Sequence, residues 1–368
     1  MVAGAFQKAS KSPSVIFIAL LLIAVAGFIA VNHLVVRFHE QEKALGRHLY
    51  AQAQAEQSAG RMDRAIPYLR AAISYSSDDA QYQLSLARAL RDTGRTEEAE
   101  SYLIRLWEKD PQDGPINLAL GRLFARENKV AGAIQYYHNA AYALWPPNSP
   151  MSGLAARFEL VRYLLQRGAL TDAQSELISI SSVMPDDANS HLQLGDLFFQ
   201  AQDFERALAE YQQALRKEPS QVKAALGAGK AAFELRRYRE AENYLSRVSQ
   251  DGEARPLLEI SRLTVRSDPY DPSISSGERA QRIRQAFEHA GARLNQCASE
   301  NARLEPLQQQ WDAAKPKVLR RSARLDDELN AAWELALEIE QRAEQCAGST
   351  AQDRALLLLA KGDSRTQP

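Results

Sequence analysis

From residue 46 to residue 255 the chain alternates blocks of apolar residues at helical spacing with short polar turns, two blocks to every 34 residues. Residues three and four apart share one face of a helix, so each block predicts an amphipathic helix and each pair a hairpin. Six alanines mark the period: Ala65, Ala99, Ala133, Ala173, Ala207 and Ala241, at intervals of 34, 34, 40, 34 and 34. Other residue types keep step with them. Leu69, Leu103, Tyr137, Leu177, Tyr211 and Leu245 stand four places on, and Ala72, Leu106, Ala140, Ile180, Ala214 and Val248 seven places on. Twelve places earlier come Ala53, Ala87, Gly121, Val161, Gly195 and Gly229, mostly small. Small residues on both helices predict close approach, with leucines and aromatics filling the remaining gap. Gly60, Gly94 and Gly168 fall in the polar turn, where glycine enters left-handed geometry cheaply. One hairpin cannot bury its own apolar face, so the pattern predicts stacked neighbours.

With the alanine as the twentieth position, the units are 46–79, 80–113, 114–147, 154–187, 188–221 and 222–255, with an insertion from Asn148 to Gly153. The stretch DANSHLQLGDLFFQAQDFERALAEYQQALRKEPS carries Leu194-Gly195, Phe198, Ala207, Tyr211, Ala214 and Pro219; the unit beginning at Gly114 carries Leu120-Gly121, Phe124, Ala133, Tyr137 and Ala140. In these residues the chain resembles the tetratricopeptide-repeat family, over about 210 residues. The resemblance implies an all-α helical-hairpin superhelix of about six repeats and a protein or peptide partner; the sequence offers no nucleophile with a placed base, so catalysis is not expected.

Family members bind on a concave face lined by the first helix of each unit, through positions 2, 5, 9, 12 and 13. Carried onto this chain, position 9 reads Gln54, Arg88, Arg122, Arg162, Asp196 and Lys230, and Arg91 and Arg126 join at positions 12 and 13. Position 5 reads Tyr50, Leu84, Leu118, Phe158, Leu192 and Leu226. Such a groove suits an extended or helical peptide with acidic groups and apolar anchors. The alternative is that the arginines are solvated or paired with Asp92, Asp196 and Glu234, and that the leucines pack against the next repeat. Surface ion pairs contribute about 0–1 kcal/mol and imply no ligand. Asparagine is missing from position 9, so the carboxylate clamp of chaperone-binding members is not matched.

Val15 to Val36 is uncharged, with only Asn32 and His33 as polar interruptions. At about 1.5 Å per residue it crosses the ~30 Å of bilayer hydrocarbon. A cleaved signal peptide is the alternative, with Lys8 and Lys11 as its basic end, Val15 to Ile23 as its core and Ala24-Val25-Ala26 at the cleavage site. Cleavage would leave Gly27 to Val31 and Leu34 to Val36 as a greasy terminus, so we read an uncleaved anchor. A short basic leader before a single apolar segment stays in the cytoplasm, which places the rest of the chain outside the bacterial inner membrane. The expected organisation is a basic segment 1–14, a transmembrane helix 15–36, a helical stalk 37–45, six repeats 46–255, a capping helix and linker 256–276, and a helical region 277–368.

After Glu253 the period fails. Leu257 to Val265 predicts a terminal helix that shields the last repeat, and Ser267 to Pro272 a linker. A helix starts near Ser276, capped by Ser275 or Ser276, with Ile283, Phe287, Ala290, Leu294 and Cys297 on its apolar face. A short segment around Leu307 and Trp311 follows, and Pro316 starts or kinks another helix bearing Leu325, Leu329, Ala332, Leu335, Ile339, Ala343 and Cys346. A last helix holds Leu356 to Leu359. These predict a small bundle. Cys297 and Cys346 fall near the C-terminal ends of their helices; if a short helix reverses the chain between them the two ends come together and, in an exported domain, a disulfide can form, the alternative being two buried free thiols.

The formal net charge is −1, with a quarter of the residues charged, so nothing draws the chain to nucleic acid. The six histidines are scattered, so no metal motif and no cofactor is expected. Gly227-Ala228-Gly229-Lys230 falls short of a phosphate loop, because Ala224 and Ala231 stand where glycine and Ser/Thr are needed. The chain reads as a membrane-anchored scaffold for assembly or maintenance of a bacterial envelope complex. The competing readings are a periplasmic chaperone or secretion factor for transient clients, and a non-catalytic subunit of a membrane enzyme.

Overall fold

A computed structural model describes residues 13–147, 152–297, 304–319, 326–346 and 348–362. Seventeen α-helices and no strand occupy these residues. Packing divides the chain into two units, Met1–Arg167 and Gly168–Pro368. The leader with Lys8 and Lys11, most of the 148–153 insertion, and Leu325 lie outside the described residues.

In the first unit, α1 (Pro13–Ser58) is one unbroken helix of 46 residues. Its apolar stretch has a mean hydropathy of 2.5 and none of it is buried; Phe17, Leu22, Phe28 and Leu34 all point outward. The same helix supplies the first half of the first repeat. At Gly46 the helix packs closely on α2: a Cβ there would stand 3.3 Å from Ser76 Oγ and 3.5 Å from the Ala72 carbonyl oxygen. The hairpins that follow are built from α2 (Met62–Tyr75), α3 (Ala80–Asp92), α4 (Thr96–Lys109), α5 (Gly114–Arg126) and α6 (Val130–Tyr142), and α7 (Gly153–Gln166) packs on α6. Aspartates start the first helices of two repeats: Asp79 accepts from the Gln81 and Tyr82 amides, and Asp113 from the Ile116 amide. The ruler alanines Ala65, Ala99 and Ala133 are fully enclosed. The left-handed turn is taken by Gly60 (φ 73°), Gly94 (φ 82°) and, at the same phase, Asn128 (φ 59°).

In the second unit, α8 (Leu170–Ser181) precedes the hairpins α9 (Ala188–Gln200) with α10 (Phe204–Lys217), and α11 (Val222–Glu234) with α12 (Tyr238–Ser246). Ala173, Ala207 and Ala241 are again fully enclosed. Tyr211 on α10 is clamped by two glycines: a Cβ at Gly195 would lie 2.8 Å from its ring, and one at Gly227 2.4 Å. The left-handed turn falls on Gln202 and Arg236, both at φ 59°.

After the last repeat, α13 (Ala254–Ser267) packs on α12 and on α17 (Ala351–Gly362). α14 (Ser276–Cys297), α15 (Glu305–Val318) and α16 (Asp326–Arg342) complete a bundle with its own core. Ile283, Phe287, Ala290, Leu294 and Cys297 are all buried, and the Ser275 hydroxyl accepts from the Glu278 amide at the start of α14. Trp311 stacks on Phe287 at 5.4 Å and donates Nε1–H to its carbonyl, over Gly291, where any Cβ would collide with the indole. Pro316 departs from expectation. It lies in the last turn of α15, which runs through it to Val318, instead of opening the next helix.

The Cys297–Cys346 bond is not formed in this structure. Cys297 is deep in the bundle core and Cys346 half-buried beside it. The two helix ends do meet, through another group: Arg293 Nη2 donates to the carbonyls of Ala343 (3.3 Å) and Cys346 (2.8 Å).

Candidate functional site

In the first unit the first helices of the repeats carry the position-9 side chains. Arg88 on α3 is half-buried, and its Nε has no hydrogen-bond partner among the described residues. Burial, then the charges of Arg122 and Arg91, pull its pKa below the ordinary arginine value; Tyr50 and Asp113 oppose that. The guanidinium nevertheless stays charged, because arginine starts so far above neutrality. Arg91 pairs with Asp92 at 2.7 Å and its carbonyl receives Arg126 Nη1 at 2.7 Å, while Arg91 Nη1 is buried without a partner among the described residues. These arginines form one cationic patch on α3 and α5.

Arg122 has a different fate. It makes a two-pronged pair with Glu159 of α7, Nε to Oε2 at 2.8 Å and Nη2 to Oε1. That hydrogen bond raises its pKa against the cost of burial. The expected partners were Asp92, Asp196 and Glu234, so Glu159 was missed; it sits 37 residues on, on the first helix of the next repeat. Arg162 is exposed, with no partner among the described residues.

The apolar track is only partly available. Leu118 (1% exposed) and Phe158 (8%) belong to the core, which is the packing alternative raised by the sequence. Tyr50 is half-buried, stacked on Tyr82 at 4.6 Å, with its hydroxyl 2.9 Å from Ser85 Oγ. Nearby, burial, then the Glu159 charge, push the Tyr137 hydroxyl up to about 12, so it remains protonated.

In the second unit, Lys230 is engaged by Glu253, and Asp196 accepts from the Tyr211 hydroxyl at 2.8 Å. A cleft of about 730 Å³ is lined by Arg236, Arg237, Arg239 and Asp271, with Arg239 held by Asp271. Deeper chemistry lies in the bundle. Asp353 on α17 accepts His289 Nε2 at 2.6 Å on Oδ1, and the Thr350 amide (2.6 Å) and hydroxyl (2.9 Å) on Oδ2. Burial works against its charge, but these donors outweigh it and hold its pKa low. Glu340 on α16 is nearly fully enclosed; burial first, then Asp353, push it up to about 8, against Arg293. Sequence reading passed over this group. Its signal was a charge inside an apolar stripe, since Trp333, Ala336 and Leu337 precede Glu340 at helical spacing on one buried face.

Two family models described as tetratricopeptide repeat match residues 46–123 and 192–255. Among curated proteins, peroxisome biogenesis protein 5 of Arabidopsis thaliana is 27% identical over 153 residues, 42% of this chain; the chain spans 20% of that protein's length. Among solved structures, pilF of Pseudomonas aeruginosa is 13% identical with a TM-score of 0.41, over 58% of this chain and 97% of that one. The C-terminal part of a repeat-containing protein of Cytophaga hutchinsonii is 12% identical with a TM-score of 0.45, over 83% and 98%.

Proposed function

We propose that this chain, a tetratricopeptide-repeat protein and scaffold for protein–protein interaction, is anchored in a membrane and holds an acidic partner against the arginines of its first unit. The observation that carries the proposal is the patch of Arg88, Arg91 and Arg126, with Arg162 exposed at the same repeat position as Arg88, two helices on from α5. Arg88 is charged and half-buried, and a partner carboxylate beside the guanidinium would offset the cost of that burial. The reading gives the partner fewer apolar anchors than the sequence implied, because Leu118 and Phe158 already serve the core.

Anchoring rests on α1, whose outer turns are apolar and unburied. Tethering raises the local concentration of a partner beside the bilayer, without any new contact. On the charge grounds of the leader, the membrane is the bacterial inner membrane and the repeats lie outside it, in the service of an envelope complex.

Crosslinking in intact membranes followed by mass spectrometry tests this. One partner is expected at fixed stoichiometry, and its recovery falls at least tenfold in Arg88→Glu/Arg162→Glu. Unchanged recovery puts the contact elsewhere. Many weakly held clients would favour the chaperone reading instead.

A further inference from the structure

The bundle of the second unit brings together three side chains that partner binding in the first unit does not use. His289 on α14, Glu340 on α16 and Asp353 on α17 each offer one ligand atom, and these atoms lie within 4.8 Å of one another. Glu340 is 2% exposed and its Oε1 has no hydrogen-bond partner among the described residues. A carboxylate oxygen enclosed in this way is costly unless a donor or cation meets it. Arg293 is buried nearby and its charge favours ionised Glu340, but its Nη2 donates to the carbonyls of Ala343 and Cys346 and Oε1 is left without a donor among the described residues. A cavity of about 250 Å³ borders Glu340 and Asp353, with Ser349 and Glu344 at its wall. At about 30 Å³ per water molecule, it has room for a hydrated ion.

We propose that His289, Glu340 and Asp353 form a site for a divalent transition-metal cation, zinc foremost. One imidazole nitrogen with two carboxylate oxygens suits zinc, whereas calcium and magnesium favour all-oxygen sets. Asp353 is already set for the role. Thr350 holds Oδ2 through two donors, which fixes the carboxylate plane and leaves Oδ1 turned to His289. Metal entry replaces the His289–Asp353 hydrogen bond with two metal bonds: the imidazole carries its proton on Nδ1, Nε2 presents its lone pair, and the proton held by Glu340 leaves to solvent as its carboxylate becomes the third ligand. Bonds of about 2.0–2.2 Å at tetrahedral angles put ligand atoms about 3.4 Å apart, so Nε2 and Oδ1, now 2.6 Å apart, would part slightly while the Glu340 carboxylate closes in, within the reach of side-chain adjustment. A fourth ligand would come from the cavity that Glu340 and Asp353 line, as water or as a donor brought by a partner.

The test uses the full chain in detergent, stripped with a chelator and titrated with zinc chloride, with bound metal measured after gel filtration. One equivalent per chain is expected. His289→Gln and Glu340→Gln each weaken binding at least tenfold, while their far-UV circular dichroism matches that of the parent. Cys346→Ser retains zinc. Cobalt(II) on the parent chain reads the donor set without any variant: a visible tetrahedral spectrum lacking a thiolate charge-transfer band supports the site. Failure of the parent to retain zinc, full binding by folded variants, a thiolate band, or zinc loss in Cys346→Ser would each overturn it.

Discussion

The first unit and the bundle that ends the second handle charge in opposite ways. In the repeats, arginines recur at one phase of a 34-residue period, and the helices beside them decide their fate. Arg122 finds Glu159 on the next first helix, while Arg162 stays in solvent. The bundle encloses Glu340, Asp353 and Arg293, brought from helices with no periodic relation; His289 and Asp353 are 64 residues apart. A repeat positions charge by counting, and an irregular bundle positions it by packing. Charge on the repeats can therefore change at little cost to the fold, whereas charge in the bundle is tied to it.

The sharpest break between the two should come from Phe287→Ala. Emptying that site under Trp311 should cost about 3–5 kcal/mol. Hydrogen exchange should then show protection lost across α14–α17 and kept in α3–α6. A smaller loss, about 1–3 kcal/mol, is expected from Gly227→Leu, because Tyr211 has no room to retreat between Gly195 and Gly227. Denaturant midpoints measure it. In the groove, a double-mutant cycle on Arg122 and Glu159 should return a coupling of about 1 kcal/mol, while Arg162→Ala should move stability by no more than about 0.5 kcal/mol. A larger loss at Arg162 would mean that it is structural, and the comparison would fail there.

The smallest effect is one of pH. His191 is held by Glu210 (2.7 Å) and Asp186 (2.9 Å), and although burial opposes its charge, these carboxylates raise its pKa. Its folded value therefore lies above its unfolded one. The stabilisation is present in full below the unfolded value, near 6.5, and is lost as the pH rises through the folded one. The melting temperature of the parent should fall slightly from pH 6 to pH 8 relative to His191→Asn.

Much of the repeat region was readable because hairpin stacking forces the same contact every 34 residues. The six alanines that set the ruler are all fully enclosed. The left-handed turn was visible only where glycine marks it. At Asn128, Gln202 and Arg236 the backbone takes the same geometry with ordinary residues, so composition hid what phase would have shown. The position-9 arginines were placed by the resemblance, but their partners were not, since pairing depends on how far one helix is turned against the next. For the same reason Leu118 and Phe158 went inward. In the bundle, the apolar face of α14 was legible to its last residue, Cys297. The cluster was not, because three helices from distant parts of the sequence meet there. Pro316 misled because a proline close to a helix end removes a bond that the last turn can spare.

With α1 anchored as proposed, its unbroken run to Ser58 is a shaft with an angle. Each residue inserted between Arg37 and Gly46 would turn the first repeat by about 100° and raise it by about 1.5 Å. Seven added residues would bring the arginines back to within about 20° of their original bearing, some 10 Å higher. Bearing and height can thus be varied separately. A partner fixed in the same bilayer would respond to bearing, one arriving from solution to neither.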